Sequence, residues 1–189
     1  MVKLTKIYTR TGDRGDTALG SGRRVAKHNR RVAAYGSVDE TNAVIGVARL
    51  HLERELEAAL LRIQNDLFDI GADLCVPESA HPKQVLRVDD AQVRWLESEI
   101  DRMNAPLATL RSFILPGGTA AAAHLHHART VARRAERDIV ALMDEEEINP
   151  VVLRYLNRLS DFLFVAARTA NAAAGGDVLW IPGAQNRSD

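Results

Sequence analysis

The sequence predicts an all-α fold, a bundle of five helices. Aromatic residues make up only 5% of the 189-residue chain, whereas alanine and leucine are abundant. Apolar residues recur every three or four positions rather than at every second one, which is the period of a helix and not of a strand. Because 46% of the residues are apolar, a chain of this length can bury one substantial core. We therefore expect a single domain over residues 1–189.

The first two helices are predicted at residues 27–50 and 52–75. The second shows an alternating four-three spacing of apolar residues that is typical of a bundle seam. A loop that contains Pro77 and Pro82 follows it and interrupts the helical pattern. The expected inward positions of the second helix are Leu56, Leu60, Ile63, Leu67, Ile70 and Leu74.

A shorter third helix is predicted at residues 93–103, with Asp89 or Asp90 as its N-cap. Residues 105–118 should be irregular, because this stretch ends in Pro-Gly-Gly, which breaks any helix.

Thr119 can cap a fourth helix that runs to about residue 144, and Pro150 can open a fifth helix that ends at Gly175-Gly176. The central alanines of the fourth helix let a neighbouring helix come close, so side chains beside them should be held by tight packing. The expected inward positions are Leu125, Ala128, Ala132, Ala135, Ile139 and Leu142 on the fourth helix and Val152, Leu156, Leu159, Leu163 and Ala166 on the fifth.

The domain divides into a polar N-terminal loop (1–26), the helical bundle (27–173) and a C-terminal tail (174–189). Residues 177–183 of the tail are apolar enough to dock on the bundle. Residues 185–189 should be loose.

The composition excludes several classes of protein. Lys and Arg total 25 and so do Asp and Glu, so no net field attracts the chain to nucleic acid or to an acidic membrane. Cys75 is the only cysteine, which excludes an internal disulfide and suits a reducing compartment. No apolar run reaches membrane-spanning length, and the polar loop leaves no room for a leader in front of it. We expect a cytoplasmic protein.

The N-terminal segment 9–17 reads Thr-Arg-Thr-Gly-Asp-Arg-Gly-Asp-Thr and has no apolar face to bury. Backbone N–H groups and threonine hydroxyls in such a loop suit a polyphosphate, which Lys27 could also reach. No Gly-Lys-Ser or Gly-Lys-Thr follows, and Gly20-Ser21-Gly22 lacks the third glycine of a dinucleotide fingerprint. The alternatives are an ordinary disordered terminus and a solvated lysine.

Arg129, Arg133 and Arg137 lie one helical turn apart, so their guanidinium groups share a face of the fourth helix. Three like charges on one face need an anion, and ATP is the first candidate. The alternative is a salt-bridged surface in which Glu136 pairs with Arg133 three residues earlier.

Two pairs of acidic or polar residues could interact with the arginine face of the fourth helix. Asn157 and Asp161 lie one turn apart on the fifth helix, and if buried they need polar partners, which the arginines could supply. Asp39 and Glu40 on the first helix could hold an arginine, either within the chain or across a subunit boundary.

Other catalytic chemistries have little support. His124, His126 and His127 suggest a metal, but only the first and last are spaced for one helix face, and structural histidines are the alternative. No Gly-X-Ser-X-Gly elbow and no cysteine with an obvious base is present. If the protein is an enzyme, a substrate supplies the nucleophile.

Six motifs, in order and over nearly the whole chain, closely resemble those of the PduO-type ATP:cob(I)alamin adenosyltransferases. They are TKIYTRTGD at 5–13, VDE at 38–40, RIQNDLF at 62–68, FILPGG at 113–118, the arginine segment 129–137 and YLNRLSD at 155–161. The resemblance implies a five-helix bundle that assembles as a homotrimer, with active sites between neighbouring subunits.

The resemblance also implies the roles of individual residues. Asp39 would pair with Arg129 across the interface, and Phe113 would lie over the lower face of the corrin. Asp16 stands where relatives often carry an uncharged residue. The implied ATP-binding residues are Thr9, Arg10, Thr11, Gly12, Thr17, Ala18 and Lys27 from one subunit and Arg133, Arg134, Glu136, Arg137 and Asn157 from the next.

The implied reaction is attack of cob(I)alamin on C5′ of ATP, with Mg²⁺, giving adenosylcobalamin and triphosphate. Phe113 would keep the lower axial ligand off cobalt(II) and so ease reduction of cob(II)alamin. A reductase and an adenosylcobalamin-dependent acceptor enzyme are the expected partners. Two alternatives remain: a cobalamin-delivery chaperone gated by ATP without turnover, and a nucleotide-binding regulatory bundle that takes no corrinoid.

Overall fold

Five helices form the body of the part of the chain that the structure describes, which confirms the predicted helical bundle. The computed structural model describes residues 6–78, 86–172 and 174–184. Thr5, Pro82 and residues 185–189, which figure in the sequence analysis, lie outside the described residues. Among the described helices, none is both long enough and apolar enough to cross a membrane. The helices are α1 (Arg30–Arg49), α2 (Arg54–Cys75), α3 (Asp90–Asn104), α4 (Ala120–Met143) and α5 (Pro150–Ala172).

Helix α4 lies in the middle of the packing order. It packs against α1 on one side and α5 on the other, while α2 packs on α1 and α3 packs on α5. Its inner face includes Ala128, Ala132 and Ala135, none of which has exposed surface. Because alanine lets two helix backbones approach closely, the residues beside these alanines lie on a tightly held helix.

The predicted apolar seams are confirmed. Every predicted inward residue of α4 and α5 is fully buried, and those of α2 are buried from Leu60 onward. Leu56, near the start of α2, is only partly buried. Burial of one leucine or isoleucine side chain contributes roughly 1.5–3 kcal/mol, so these faces hold the bundle together.

The helix starts follow their capping residues. Asp89 and Thr119 are N-caps, and the side chain of each accepts a hydrogen bond from a backbone N–H of the first turn. Helix α3 begins three residues earlier than predicted, directly after its cap. Helix α1 begins at Arg30, three residues later than predicted, because Asn29 is the cap: its Oδ1 accepts from the N–H of Arg31 at 2.9 Å.

The N-terminal segment adds a small ribbon to the helical bundle that the sequence analysis did not predict. Strand β1 (Asp16–Ala18) pairs antiparallel with β2 (Arg24–Ala26). Strands of three residues are too short to show an alternating pattern. The turn between them rests on the end of α2: the N–H of Gly20 donates to the Cys75 carbonyl at 2.9 Å, and a Cβ at Gly20 would lie 2.7 Å from Val76.

Candidate active site

Segment 9–17 forms a compact turn that is closed by Lys27. The N–H of Gly15 donates to the Gly12 carbonyl at 3.2 Å, and the N–H of Lys27 donates to the Gly15 carbonyl at 2.9 Å. The lysine side chain lies against Gly12, where an added Cβ would be 3.2 Å from Lys27 Nζ. The structure therefore brings Lys27 and the loop together, as an anion-binding turn requires.

Threonine and arginine side chains are exposed on this turn. The hydroxyl oxygens of Thr9 and Thr11 are 2.9 Å apart. Arg10 has a φ of 62°, a left-handed conformation that is uncommon for a residue with a side chain. Strained backbone of this kind concentrates at ligand-binding segments. Thr17 and Ala18 continue the turn into β1.

Arg24 organises the turn, and the sequence analysis missed it. Its Nε donates to Asp16 Oδ2 at 2.8 Å, its Nη2 lies 2.7 Å from Asp16 Oδ1, and Nη2 also donates to the Thr11 carbonyl at 2.7 Å. The hydrogen bond from Arg24 lowers the pKa of Asp16, and the same bond raises the pKa of Arg24. The carboxylate of Asp16 is therefore neutralised within the turn. The two residues meet only through the ribbon, which has no sequence signal of its own.

Helix α4 presents the predicted row of arginines. Arg129 is half-buried, while Arg133 and Arg137 are exposed. Burial lowers the pKa of Arg129, and the charge of Arg133 lowers it further. Within the described part of the chain, Arg129 Nε is buried without a hydrogen-bond partner. Repelling cations with an unsatisfied donor are the arrangement that a bound anion stabilises.

The alternative of a salt-bridged surface holds for Arg134 but not for Arg133. Arg134 forms an ion pair with Glu40 on α1. Glu136 accepts a hydrogen bond from Asn157 at 2.9 Å instead of pairing with Arg133. Over the described ranges, Arg133 makes no ion pair, so its guanidinium is available to a ligand.

The polar pair on α5 differs from expectation. Asn157 is half-buried, and its α4 partner is the carboxylate of Glu136 rather than an arginine. Its Oδ1 accepts from Arg158 Nη1 at 2.6 Å. Asp161, one turn further along α5, is exposed to solvent in the single chain. It therefore needs no buried polar partner.

Within one chain, the turn and the arginine row have different polar partners. Arg24 in β2 forms an ion pair with Asp16, and Arg23 in the turn before β2 lies 3.9 Å from Glu146 in the loop after α4. No hydrogen bond or ion pair between described residues joins the turn to the row. Asp39 is exposed on α1, and no ion pair between described residues joins it to Arg129.

Arg129 also lines a cavity of about 700 Å³. Phe113, Phe164 and Trp180 are among its other walls. Phe113 is 78% exposed at this site. A cavity of this size and aromatic character suits a large, flat, mostly apolar ligand, placed directly beside the arginine row.

The three histidines of α4 do not form a metal site in the part of the chain that the structure describes. His124 stacks on His51 with ring centroids 5.0 Å apart, His126 is buried with its edge towards Phe164, and His127 is exposed. The described residues contain no group of three or more His, Cys, Asp or Glu side chains that could hold a metal ion.

The chain matches one protein family over most of its length. The family model described as Cobalamin adenosyltransferase matches residues 7–170, which include the turn, the arginine row and Phe113. The chain belongs to the cobalamin adenosyltransferase family.

Relatives of this adenosyltransferase-family chain match it almost end to end. The corrinoid adenosyltransferase of Mycobacterium tuberculosis (strain ATCC 25618 / H37Rv) is 49% identical over 187 residues, covering 96% of each chain. The cobalamin adenosyltransferase of Cupriavidus metallidurans is 50% identical over 183 residues, covering 94% of this chain and 95% of the relative.

A solved structure has the same fold as this family member. It is a phenylalanine-to-alanine variant of the PduO-type ATP:corrinoid adenosyltransferase from Lactobacillus reuteri, complexed with cobalamin and ATP. The TM-score is 0.88 at 42% identity, covering 93% of this chain and 99% of that chain.

Proposed function

We propose that this protein transfers the 5′-deoxyadenosyl group of ATP to the cobalt of cob(I)alamin, giving adenosylcobalamin and triphosphate. The observation that carries this proposal is the position of Arg129, which begins the arginine row and also lines the Phe113 cavity. A cationic face for a polyphosphate and an aromatic cavity for a corrin therefore share one wall. The Lactobacillus reuteri relative is complexed with these two ligands, cobalamin and ATP.

The chemistry suits a site without a general base. The electron pair of cobalt(I) forms the bond to C5′ while the bond from C5′ to the phosphate oxygen breaks, and that oxygen leaves with the triphosphate. No proton is abstracted, so the protein supplies positioning and charge stabilisation. We assign Arg133, Arg137 and Lys27 to the developing charge of the triphosphate and Phe113 to the lower face of the corrin.

A homotrimer with sites between subunits would bring the turn of one subunit to the arginine row of the next. No hydrogen bond or ion pair between described residues joins the turn to the arginine row within one chain, which supports a site built from two copies. Asp39 is exposed on α1, and Arg129 Nε has no partner among the described residues. We assign these two side chains to each other across the subunit interface. In this arrangement Thr9 to Gly12, Thr17, Ala18 and Lys27 come from one subunit, and Arg133, Arg134, Glu136, Arg137 and Asn157 from the next.

Mg²⁺ would enter this site on the triphosphate. In proteins it is usually held largely by substrate phosphates, and Arg24 engages the carboxylate of Asp16, so we assign Mg²⁺ to the phosphates and not to Asp16. A one-electron reductase for cob(II)alamin and an enzyme that uses adenosylcobalamin are the partners implied by the reaction.

The decisive test mixes the protein anaerobically with MgATP and chemically reduced cob(I)alamin. We expect a light-sensitive alkylcobalamin spectrum and one triphosphate for each adenosylcobalamin formed. A stable cob(I)alamin spectrum with intact ATP would overturn the proposal. In that case, corrinoid binding would favour the delivery chaperone, and ATP binding without any corrinoid would favour the regulatory bundle.

Removing the guanidinium of Arg24 is expected to weaken ATP binding, because it leaves the Asp16 carboxylate unpaired beside the triphosphate. For Arg24→Ala we expect the KM for ATP to rise about fivefold, the effect of one like-charge contact at about 4 Å in water, with a smaller change in kcat. The double variant Asp16→Asn/Arg24→Ala should regain most of the loss, because the repelling charge is gone.

The neighbouring Arg23→Ala is the matched control for this pair, since Arg23 lies on the same ribbon but only approaches Glu146, at 3.9 Å. Its KM for ATP should stay near the wild-type value. If the double variant has a KM for ATP as high as that of Arg24→Ala, Arg24 acts by holding the turn in shape and not by neutralising Asp16.

A further inference from the structure

Phe113 lies outside the helices, in the stretch between α3 and α4. This stretch is irregular, and Phe113 is 78% exposed. An exposed side chain moves between rotamers unless a neighbouring side chain packs on it. The orientation of this ring therefore depends on the residues that contact the ring and its segment.

The C-terminal tail holds the backbone of this segment. The N–H of Trp180 donates to the Phe113 carbonyl at 2.8 Å, and the N–H of Leu115 donates to the Val178 carbonyl at 2.8 Å. The hydroxyl of Ser112 donates to the Trp180 carbonyl, also at 2.8 Å. The tail thus forms a short antiparallel bridge along the residues on both sides of Phe113.

The tail is itself fixed to α5 by Arg168. The Nε of Arg168 donates to Asp177 Oδ2 at 3.0 Å, and its Nη2 donates to the Ala108 carbonyl at 2.7 Å. The side chains of this pair are only 7% and 12% exposed, so water screens their attraction weakly. Gly175 and Gly176 have φ values of 99° and 93°, which let the chain reverse after α5.

Asn171 on α5 fixes the other end of the Phe113 segment. Its Nδ2 donates to the Gly117 carbonyl at 3.1 Å, and its Oδ1 accepts from the N–H of Thr119 at 2.9 Å. Gly118 has a φ of 98°, and a Cβ there would lie 2.3 Å from Asn171 Oδ1. With both ends of the segment anchored, the remaining freedom is in the Phe113 side chain.

The ring of Trp180 packs on the ring of Phe113. Their centroids are 5.9 Å apart and their planes are inclined by 59°, a tilted arrangement that aromatic pairs favour. Both rings line the cavity that Arg129 also lines. We propose that Trp180 is a positioning residue that sets the orientation of the Phe113 ring against the corrin. This inference rests on the proposed function.

Trp180 should matter most when the corrinoid arrives as cob(II)alamin. At that stage Phe113 has to exclude the lower axial ligand before cobalt(II) accepts one electron from the reductant. Cob(I)alamin supplied ready-made bypasses this step. A residue that only stabilised the fold would affect both routes equally.

The test compares Trp180→Ala and Trp180→Phe with Ile181→Ala, an exposed neighbour on the same tail, as the matched control. Initial rates are measured with cob(I)alamin and separately with cob(II)alamin plus a chemical one-electron reductant. We expect Trp180→Ala to lower the ratio of the cob(II)alamin rate to the cob(I)alamin rate about 2- to 10-fold, the range for loss of one aromatic pair. Trp180→Phe should recover most of the ratio, and Ile181→Ala should leave it unchanged.

The absorption spectrum of cob(II)alamin, bound with MgATP before any reductant is added, is the second readout. We expect Trp180→Ala to increase the fraction that retains its axial ligand. Trp180→Leu, which keeps apolar bulk but no ring, gives the same test if the alanine variant loses its circular dichroism.

An unchanged rate ratio and spectrum in the folded variants would overturn the positioning role, and so would equal losses on both routes. Failure of the wild-type protein to form adenosylcobalamin from cob(I)alamin would instead overturn the proposed function.

Discussion

An Arg133→Ala variant is expected to lose about 10²-fold or more of the adenosyl-transfer rate, the typical cost of removing one preorganised charge-stabilising group. Arg133 is exposed, and over the described ranges it makes no ion pair, so its charge is free to meet the leaving triphosphate. Alanine is the best helix former, so α4 should persist. Single-turnover kinetics with cob(I)alamin and MgATP measure the loss, and circular dichroism checks the fold.

Two further variants test the reason for this loss. Arg133→Lys keeps the charge but not the planar fork of donors, so it should recover only part of the rate. Arg94→Ala removes an exposed arginine from α3 and should have no effect. Turnover at the wild-type rate in a folded Arg133→Ala variant would exclude Arg133 from leaving-group stabilisation.

A Phe113→Ala variant is expected to fail mainly with cob(II)alamin as the supplied corrinoid. Without the ring, the lower axial ligand can stay on cobalt(II), which lowers its reduction potential. We expect a loss of about 10²-fold or more on this route, which corresponds to a lowering of the potential by about 120 mV, since about 59 mV changes a one-electron equilibrium tenfold. The loss with cob(I)alamin should be much smaller. Parallel rate measurements with the two oxidation states separate the effects.

Leu115→Ala is the matched control for Phe113→Ala, because Leu115 is an exposed apolar residue two positions further along the same segment. It should leave both rates close to wild type. Equal activity of Phe113→Ala with cob(I)alamin and cob(II)alamin would argue against ligand exclusion by the ring.

The helices were predictable because each leaves a local pattern. The seam of α4, from Leu125 to Leu142, recurs at the helical period, and every predicted position of it is buried. Thr119 is a cap because its side chain satisfies a backbone N–H of the first turn. The arginine row was predictable for the same reason, since a spacing of four places side chains on one helix face.

The two-stranded ribbon and the ion pair between Arg24 and Asp16 were not predictable in this way. Strands β1 and β2 have three residues each, which is less than one clear alternation. Without the ribbon, nothing brings Arg24 to Asp16, eight residues away. The start of α1 was predicted three residues too early because the capping role of Asn29 was missed. The partner of Asn157 was also missed, because Glu136 and Arg133 are three residues apart on α4 and sequence spacing alone does not select between them.

The amino-acid sequence alone was sufficient for the five helices, their buried faces, the arginine row and a family resemblance, because these depend on local spacing and on residue type. Only the tertiary structure decided that Arg129 joins the row to the Phe113 cavity, that Arg24 neutralises Asp16, and that the tail places Trp180 on Phe113. Trp180 and Phe113 are far apart along the chain. Their contact arises from the chain reversal after α5 and from the ion pair between Arg168 and Asp177, which no local period encodes.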